Sequence, residues 1–135
     1  MSKILIIDDE SSIRAALRDI LEYEGYTIDE AGDGDAGLKS VLKTNYDAIF
    51  CDIKMPKKDG LDFLTELKKE HPNANHHCYA WRLGADKSAF RFNDDGEPSN
   101  TAGKPIYGQI QAKDLTNVLL VVFDILEEHF WVLVD

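Results

Sequence analysis

Ile4-Leu5-Ile6-Ile7-Asp8-Asp9-Glu10-Ser11-Ser12 drives four bulky apolar residues into three consecutive acids. A short, continuous, β-branched run of this kind predicts a strand buried on both faces of a parallel sheet. Ser11 or Ser12 is placed to cap a following helix, whose apolar stripe is Ile13, Ala16, Leu17, Ile20 and Leu21. Gly25 supplies its C-terminal stop. Ala48-Ile49-Phe50-Cys51 is a second apolar run, and it too ends in an acid, Asp52. In an open parallel sheet, ligands bind outside the carboxyl ends of the strands. Asp8, Asp9 and Asp52 are therefore expected to converge.

Between these runs, Tyr26-Thr27-Ile28 reads as a strand and Asp33-Gly34-Asp35 as a turn. Leu38, Val41 and Leu42 mark a second helix, and Leu61, Leu64 and Leu67 a third that stops before Pro72. Strands alternating with helices at this spacing imply an α/β fold with parallel strands and right-handed crossovers.

Composition narrows the function. A chain of 135 residues, 44% hydrophobic and 30% charged, fits one globular domain with a real core. Twenty-five acidic residues against 15 basic ones give a formal net charge of −10, which argues against a nucleic-acid backbone binder and suits a cation or a basic partner. Cys51 and Cys78 show no paired spacing, consistent with a reduced, cytoplasmic setting. No apolar run is long enough to span a bilayer, so no membrane partner is expected. Nucleophile elbows, phosphate-binding glycine loops and dinucleotide fingerprints are missing, so the chain reads as a non-enzyme.

Three clustered carboxylates repel one another and raise each other's pKa unless a cation sits among them. An oxygen-only ligand set suits Mg²⁺ or Mn²⁺ better than zinc. Lys54-Met55-Pro56 through Asp59-Gly60 completes the pattern. On these residues the stretch from 1 to about 72 resembles the first half of a response-regulator receiver domain of the transcriptional-activator type. The resemblance implies a three-layer, flavodoxin-like sandwich with a mainly parallel sheet. It implies that Asp52 is the phosphoacceptor, charged by a histidine kinase. It further implies that Asp9, Asp52 and the backbone carbonyl of Lys54 bind Mg²⁺, with Asp8 acting through water. The chemistry agrees, since a carboxylate attacking phosphorus needs a divalent cation to neutralise charge on the transferred group.

After Pro72 the pattern changes. His76-His77-Cys78-Tyr79-Ala80-Trp81-Arg82-Leu83 reads as a strand, but the receiver's expected Thr or Ser is missing, and its position falls near Arg82. Lys104-Pro105 stands at about the expected separation of the receiver's switch lysine, yet follows loop chemistry rather than a strand. Coincidence is the better reading, and Lys104 enters the candidate site by count alone. The stretch from about 76 to 122 instead resembles the YigZ/IMPACT family. The carrying residues are His76 to Trp81, Arg91-Phe92-Asn93-Asp94-Asp95-Gly96-Glu97-Pro98, Thr101 to Ile106, and Leu115 to Val122. That family resembles translation-related domains of the ribosomal-protein-S5-like fold.

The chain thus reads as a chimera of a receiver-like half (1–72) and a YigZ/IMPACT-like fragment (73–135), the second recombined from another α/β fold and completing one globular unit. The fragment is expected to give a strand (about 76 to 83), a long loop from Gly84 to about Asn100, a helix (about 102 to 112) with Ile106 and Ile110 inward, and a strand (about 116 to 123). A last helix over 124–130 and a tail with Trp131 follow. His76 and Cys78 share a strand face, but packing is preferred over metal binding. Asp94-Asp95-Gly96-Glu97 reads as a solvated turn, and Trp81 as core or interface. The functional expectation is an Mg²⁺-dependent signalling phosphoacceptor, modified on Asp52 and impaired in switching by the missing Thr or Ser. The alternatives are a recombined scaffold without evolved activity, and a translation-related binding module. An incomplete sheet edge favours a homodimer.

Overall fold

In the computed structural model, residues 2–55, 58–70, 78–93 and 103–123 are described. The elements are β1 (Lys3–Ile7), α1 (Ser11–Tyr23), β2 (Thr27–Ala31), α2 (Gly34–Lys43), β3 (Ala48–Asp52), α3 (Gly60–Glu70), β4 (Cys78–Leu83), β5 (Ala89–Asn93), α4 (Gly103–Ala112) and β6 (Val118–Val122). They build a three-layer α/β sandwich around one six-stranded sheet of order β2-β1-β3-β6-β4-β5.

The expected α/β architecture holds, with β1 pairing parallel to both β2 and β3. β6 is antiparallel to β3 and to β4, so β4 points the same way as β3 and four of the six strands share one direction. A flavodoxin-like sheet runs 2-1-3-4-5; here a descending strand is wedged between the third and fourth positions.

That wedge follows from a strand that stands where the sequence predicts a loop. Ala89–Asn93 is not loop but β5, which pairs antiparallel with β4. The hairpin carries the chain back down, so α4 climbs and β6 must descend. The expected 116–123 strand therefore exists, reversed by the extra turn.

Both faces of the sheet are apolar. Leu5, Ile7, Ile49, Cys51, Leu119 and Val121 meet Leu38 and Val41 of α2 and Phe63, Leu64 and Leu67 of α3. On the other face, Ile4, Ile6, Ala48, Leu120 and Val122 meet Leu21 of α1 and Ile106, Tyr107 and Ile110 of α4. Alternation along each strand divides the two sets. Trp81 packs against the first cluster as expected, and Cys51 and Cys78 are buried, neither of them in a disulfide.

Three helix expectations need correction. Glu10, not a serine, precedes α1, and its side chain makes no cap hydrogen bond. Of the α1 stripe, Leu21 is buried and Leu17 partly so, while Ile13, Ala16 and Ile20 face solvent. Leu42 is exposed on α2; there Asp33 is the N-cap, accepting from the Ala36 N–H at 2.8 Å. His76, His77, the Asp94–Glu97 run, the residues 71–75 where the two halves meet, and the 124–135 tail with Trp131 lie outside the described residues.

Candidate functional site

Asp8 and Asp9 follow β1, and Asp52 ends β3, its parallel neighbour. The register leaves the three acids side by side at the carboxyl edge. One carboxylate oxygen from each lies within 4.8 Å of the others. Asp8 is buried, Asp52 half-buried and Asp9 exposed.

The surrounding backbone holds this cluster in place. Asp8 accepts from the Glu10 N–H at 2.9 Å. Arg14 donates to the Asp8 carbonyl at 2.7 Å and is itself oriented by Glu30 at 3.1 Å. The Lys54 N–H donates to Asp52 Oδ1 at 3.1 Å. The Ile53 carbonyl accepts from the Gly60 N–H at 2.9 Å, bringing the start of α3 against the end of β3. Gly60 is obligatory there: a Cβ would stand 2.8 Å from Ile53 Cα and 2.9 Å from the Asp52 carbonyl.

Burial pushes the Asp52 carboxyl up to about 6, with Asp8 adding repulsion and the Lys54 N–H opposing the rise. Cys51 beside it is driven up for the same first reason, its thiolate being excluded from the core. Such a cluster has excess negative charge in search of a cation. At metal–oxygen distances of about 2.1 Å, two oxygens on one Mg²⁺ stand at most about 4.2 Å apart. A spread of 4.8 Å fits after slight closure or with one acid joined through water. The all-oxygen donor set of Asp8, Asp9 and Asp52 fits the chemistry of Mg²⁺.

Lys104 is not brought to this site, which corrects the expectation based on its count from Asp52. β5 descends away from the carboxyl edge, and Gly103 abuts the backbone of Asn93 at its lower end. Lys104 is therefore exposed in the first turn of α4, at the opposite end of the sheet from Asp52. The hydroxyl position also shifts. Arg82 is level with Asp52 but one strand further out, because Val118 of β6 stands between them.

Two contributors escaped the sequence reading. Arg14 anchors Asp8 through its carbonyl, and its only signal was a cation one turn after the acids. Asn117 joins the two halves: its carbonyl accepts from Ile53 at 2.9 Å and its side chain from Gly84 at 3.0 Å. It does so at φ 59°, a left-handed conformation that Asn tolerates.

A model of the response regulator receiver domain matches residues 4–80, and a model of the Impact N-terminal domain matches residues 43–125. The chain belongs to both families, as a receiver–IMPACT chimera. The transcriptional regulatory protein ResD of Bacillus subtilis is 44% identical to the chimera over 69 residues, covering 51% of it and 29% of ResD. The IMPACT family member YigZ of Escherichia coli is 44% identical over 70 residues, covering 47% of the chimera and 34% of YigZ. The response regulator TrrA of Thermotoga maritima, solved with Mg²⁺–BeF, aligns at 41% identity and a TM-score of 0.52, over 56% of the chimera and 65% of that chain. TrrA is also known in complex with the histidine kinase ThkA. The chimera spans about a third of the length of these curated relatives. No helix among its described residues is long and apolar enough to cross a membrane.

Proposed function

We propose that the chain is a signalling-type phosphoacceptor whose Asp52 takes a phosphoryl group in the presence of Mg²⁺. The observation that carries this reading is the convergence of Asp8, Asp9 and Asp52 within 4.8 Å. In the reaction, an Asp52 oxygen attacks phosphorus, an O–P bond forms, and the bond from phosphorus to the donor breaks with its electron pair leaving on the donor. A bound Mg²⁺ supplies charge neutralisation for the transferred group. The chain's own residues do the positioning. Lys54 N–H orients one Asp52 oxygen, Arg14 fixes the Asp8 backbone, and the Gly60 N–H holds the start of α3 on the Ile53 carbonyl. The result is self-modification rather than turnover, so the chain is read as a non-enzyme.

A histidine kinase is the proposed donor, as implied by likeness to a response regulator that binds one. Its docking surface is assigned to α1, where Ile13, Ala16, Ile20 and Tyr23 form an exposed stripe at helical spacing. Two buried cysteines outside any disulfide support a reducing, cytoplasmic setting. β2 and β5 end the sheet, which supports strand pairing in a homodimer. Intact-mass spectrometry after incubation with Mg²⁺ and a small acyl phosphate tests the reading. One phosphoryl adduct is expected on the wild type and none on Asp52→Asn; an unmodified, folded wild type would leave the recombined-scaffold reading in its place.

A further inference from the structure

Arg82 lies largely buried on β4, across the ladder from Val118. Its side chain is only 13% exposed, and its Nε is buried without a hydrogen-bond partner. Its other contacts are long: 3.4 Å from Nη1 to the Leu115 carbonyl and 3.9 Å to Asp114 Oδ1. Asp114 is itself held by Lys87 at 2.6 Å and is mostly exposed. A guanidinium this deeply placed ordinarily needs a close anion, since a buried charge left unpaired is costly.

The ladder positions supply a direction for that charge. Asp52, Val118 and Arg82 occupy one row across β3, β6 and β4. All three alternate with residues of the α2/α3 face, and so point toward the α1/α4 face. Strands lie about 4.8 Å apart, so the Asp52 and Arg82 backbones stand about 10 Å from each other. Val118 between them offers only methyl groups. A phosphoryl group on Asp52 would stand on the same face as the Arg82 side chain, and meeting it requires the guanidinium to turn from the Leu115 carbonyl and Asp114 across Val118. Leaving Asp114 costs little, because Lys87 keeps that carboxylate paired.

We propose that Arg82 is the cationic contact for a phosphoryl group on Asp52, its fork-shaped guanidinium taking the phosphoryl oxygens from one strand beyond the neighbouring ladder. This rests on the phosphoacceptor reading and adds to it a recognition residue.

Beryllofluoride with Mg²⁺, a stand-in for the phosphoryl group, is the probe. Arg82→Gln should weaken beryllofluoride binding about tenfold or more, with Mg²⁺ affinity within about twofold of wild type; Arg82→Lys should recover only part of the loss. In the wild type, the Arg82 Nε–Hε NMR resonance should shift on adding beryllofluoride, a readout that stands even if the variants fold poorly. Equal beryllofluoride affinity with a stationary resonance would overturn the Arg82 assignment and leave Asp52 chemistry intact. A wild type that binds no beryllofluoride and takes no phosphoryl group from an acyl phosphate would overturn both.

Discussion

Val118 sits directly across an antiparallel ladder from Asp52. The candidate phosphoacceptor, encoded in the receiver-like half, thus has its nearest sheet neighbour in the IMPACT-like half. The two halves share one sheet and two continuous cores, so unfolding by urea should be a single transition by fluorescence and circular dichroism. Leu119→Ala, at a fully buried position opposite Cys51, should cost about 2–5 kcal/mol and weaken Mg²⁺ binding with it. Two separate transitions would contradict this account.

The raised Asp52 carboxyl sets a pH signature. Its folded pKa of about 6 exceeds the usual unfolded value of about 3.9, so the folded state holds the extra proton. The associated stability is full below about pH 4 and is lost as pH rises through about 6. Without metal, wild type should therefore lose about 1–2 kcal/mol relative to Asp52→Asn between those limits, allowing for partial solvent screening. Parallel stability curves for the two proteins would refute a carboxyl raised by burial at Asp52.

Mg²⁺ should remove that signature. A cation bound among Asp8, Asp9 and Asp52 competes with the proton, so Mg²⁺ should raise Tm strongly at pH 7.5 and little at pH 5. At a hundredfold excess over Kd the gain is about 2.7 kcal/mol, reversed by a chelator. Asp9→Asn should abolish most of the effect; an unchanged Mg²⁺ response in that variant would count against the site.

Gly60→Ala probes the loop that backs the site. The new Cβ meets backbone atoms of Ile53 and Asp52, which cannot swing aside as a side chain would. Destabilisation of about 1–3 kcal/mol is expected, together with a larger loss of Mg²⁺ affinity than of secondary structure.

The α1 stripe separates docking from chemistry. Ile20 is 61% exposed and Tyr23 90% exposed, so Ile20→Glu should change stability by no more than about 0.5 kcal/mol. Modification by an acyl phosphate should be unaffected, whereas transfer from a histidine kinase that labels the wild type should fall about tenfold. Equal loss with both donors would place the effect in the fold rather than in docking.

The parallel half of the fold and the acid cluster were legible because their signals are local. Each apolar run is short, and each ends on the acids that the register then lines up. The antiparallel half was not, and Phe90 and Phe92 explain why. Both stack on Tyr107 of α4 from an edge strand, yet in sequence they sit between a glycine turn and a long polar stretch that reads as loop. Missing one five-residue strand reversed every later direction, which moved Lys104 to the wrong end of the sheet and gave Arg82 one strand too short a distance from Asp52. The α1 stripe misled for another reason: Ile13 and Ile20 have the spacing of a buried face while lying outside the core.

The order of the strands also constrains the making of the molecule. β6, the last strand in the described chain, occupies the centre of the sheet, and its partners on β3 lie roughly seventy residues upstream. During synthesis, β1 to β3 and the β4–β5 hairpin emerge as two separate pieces, each with an open interior edge awaiting the same strand. The nascent chain must therefore protect two edges until β6 leaves the ribosome, a delay in which pairing with a neighbouring chain competes directly with closure.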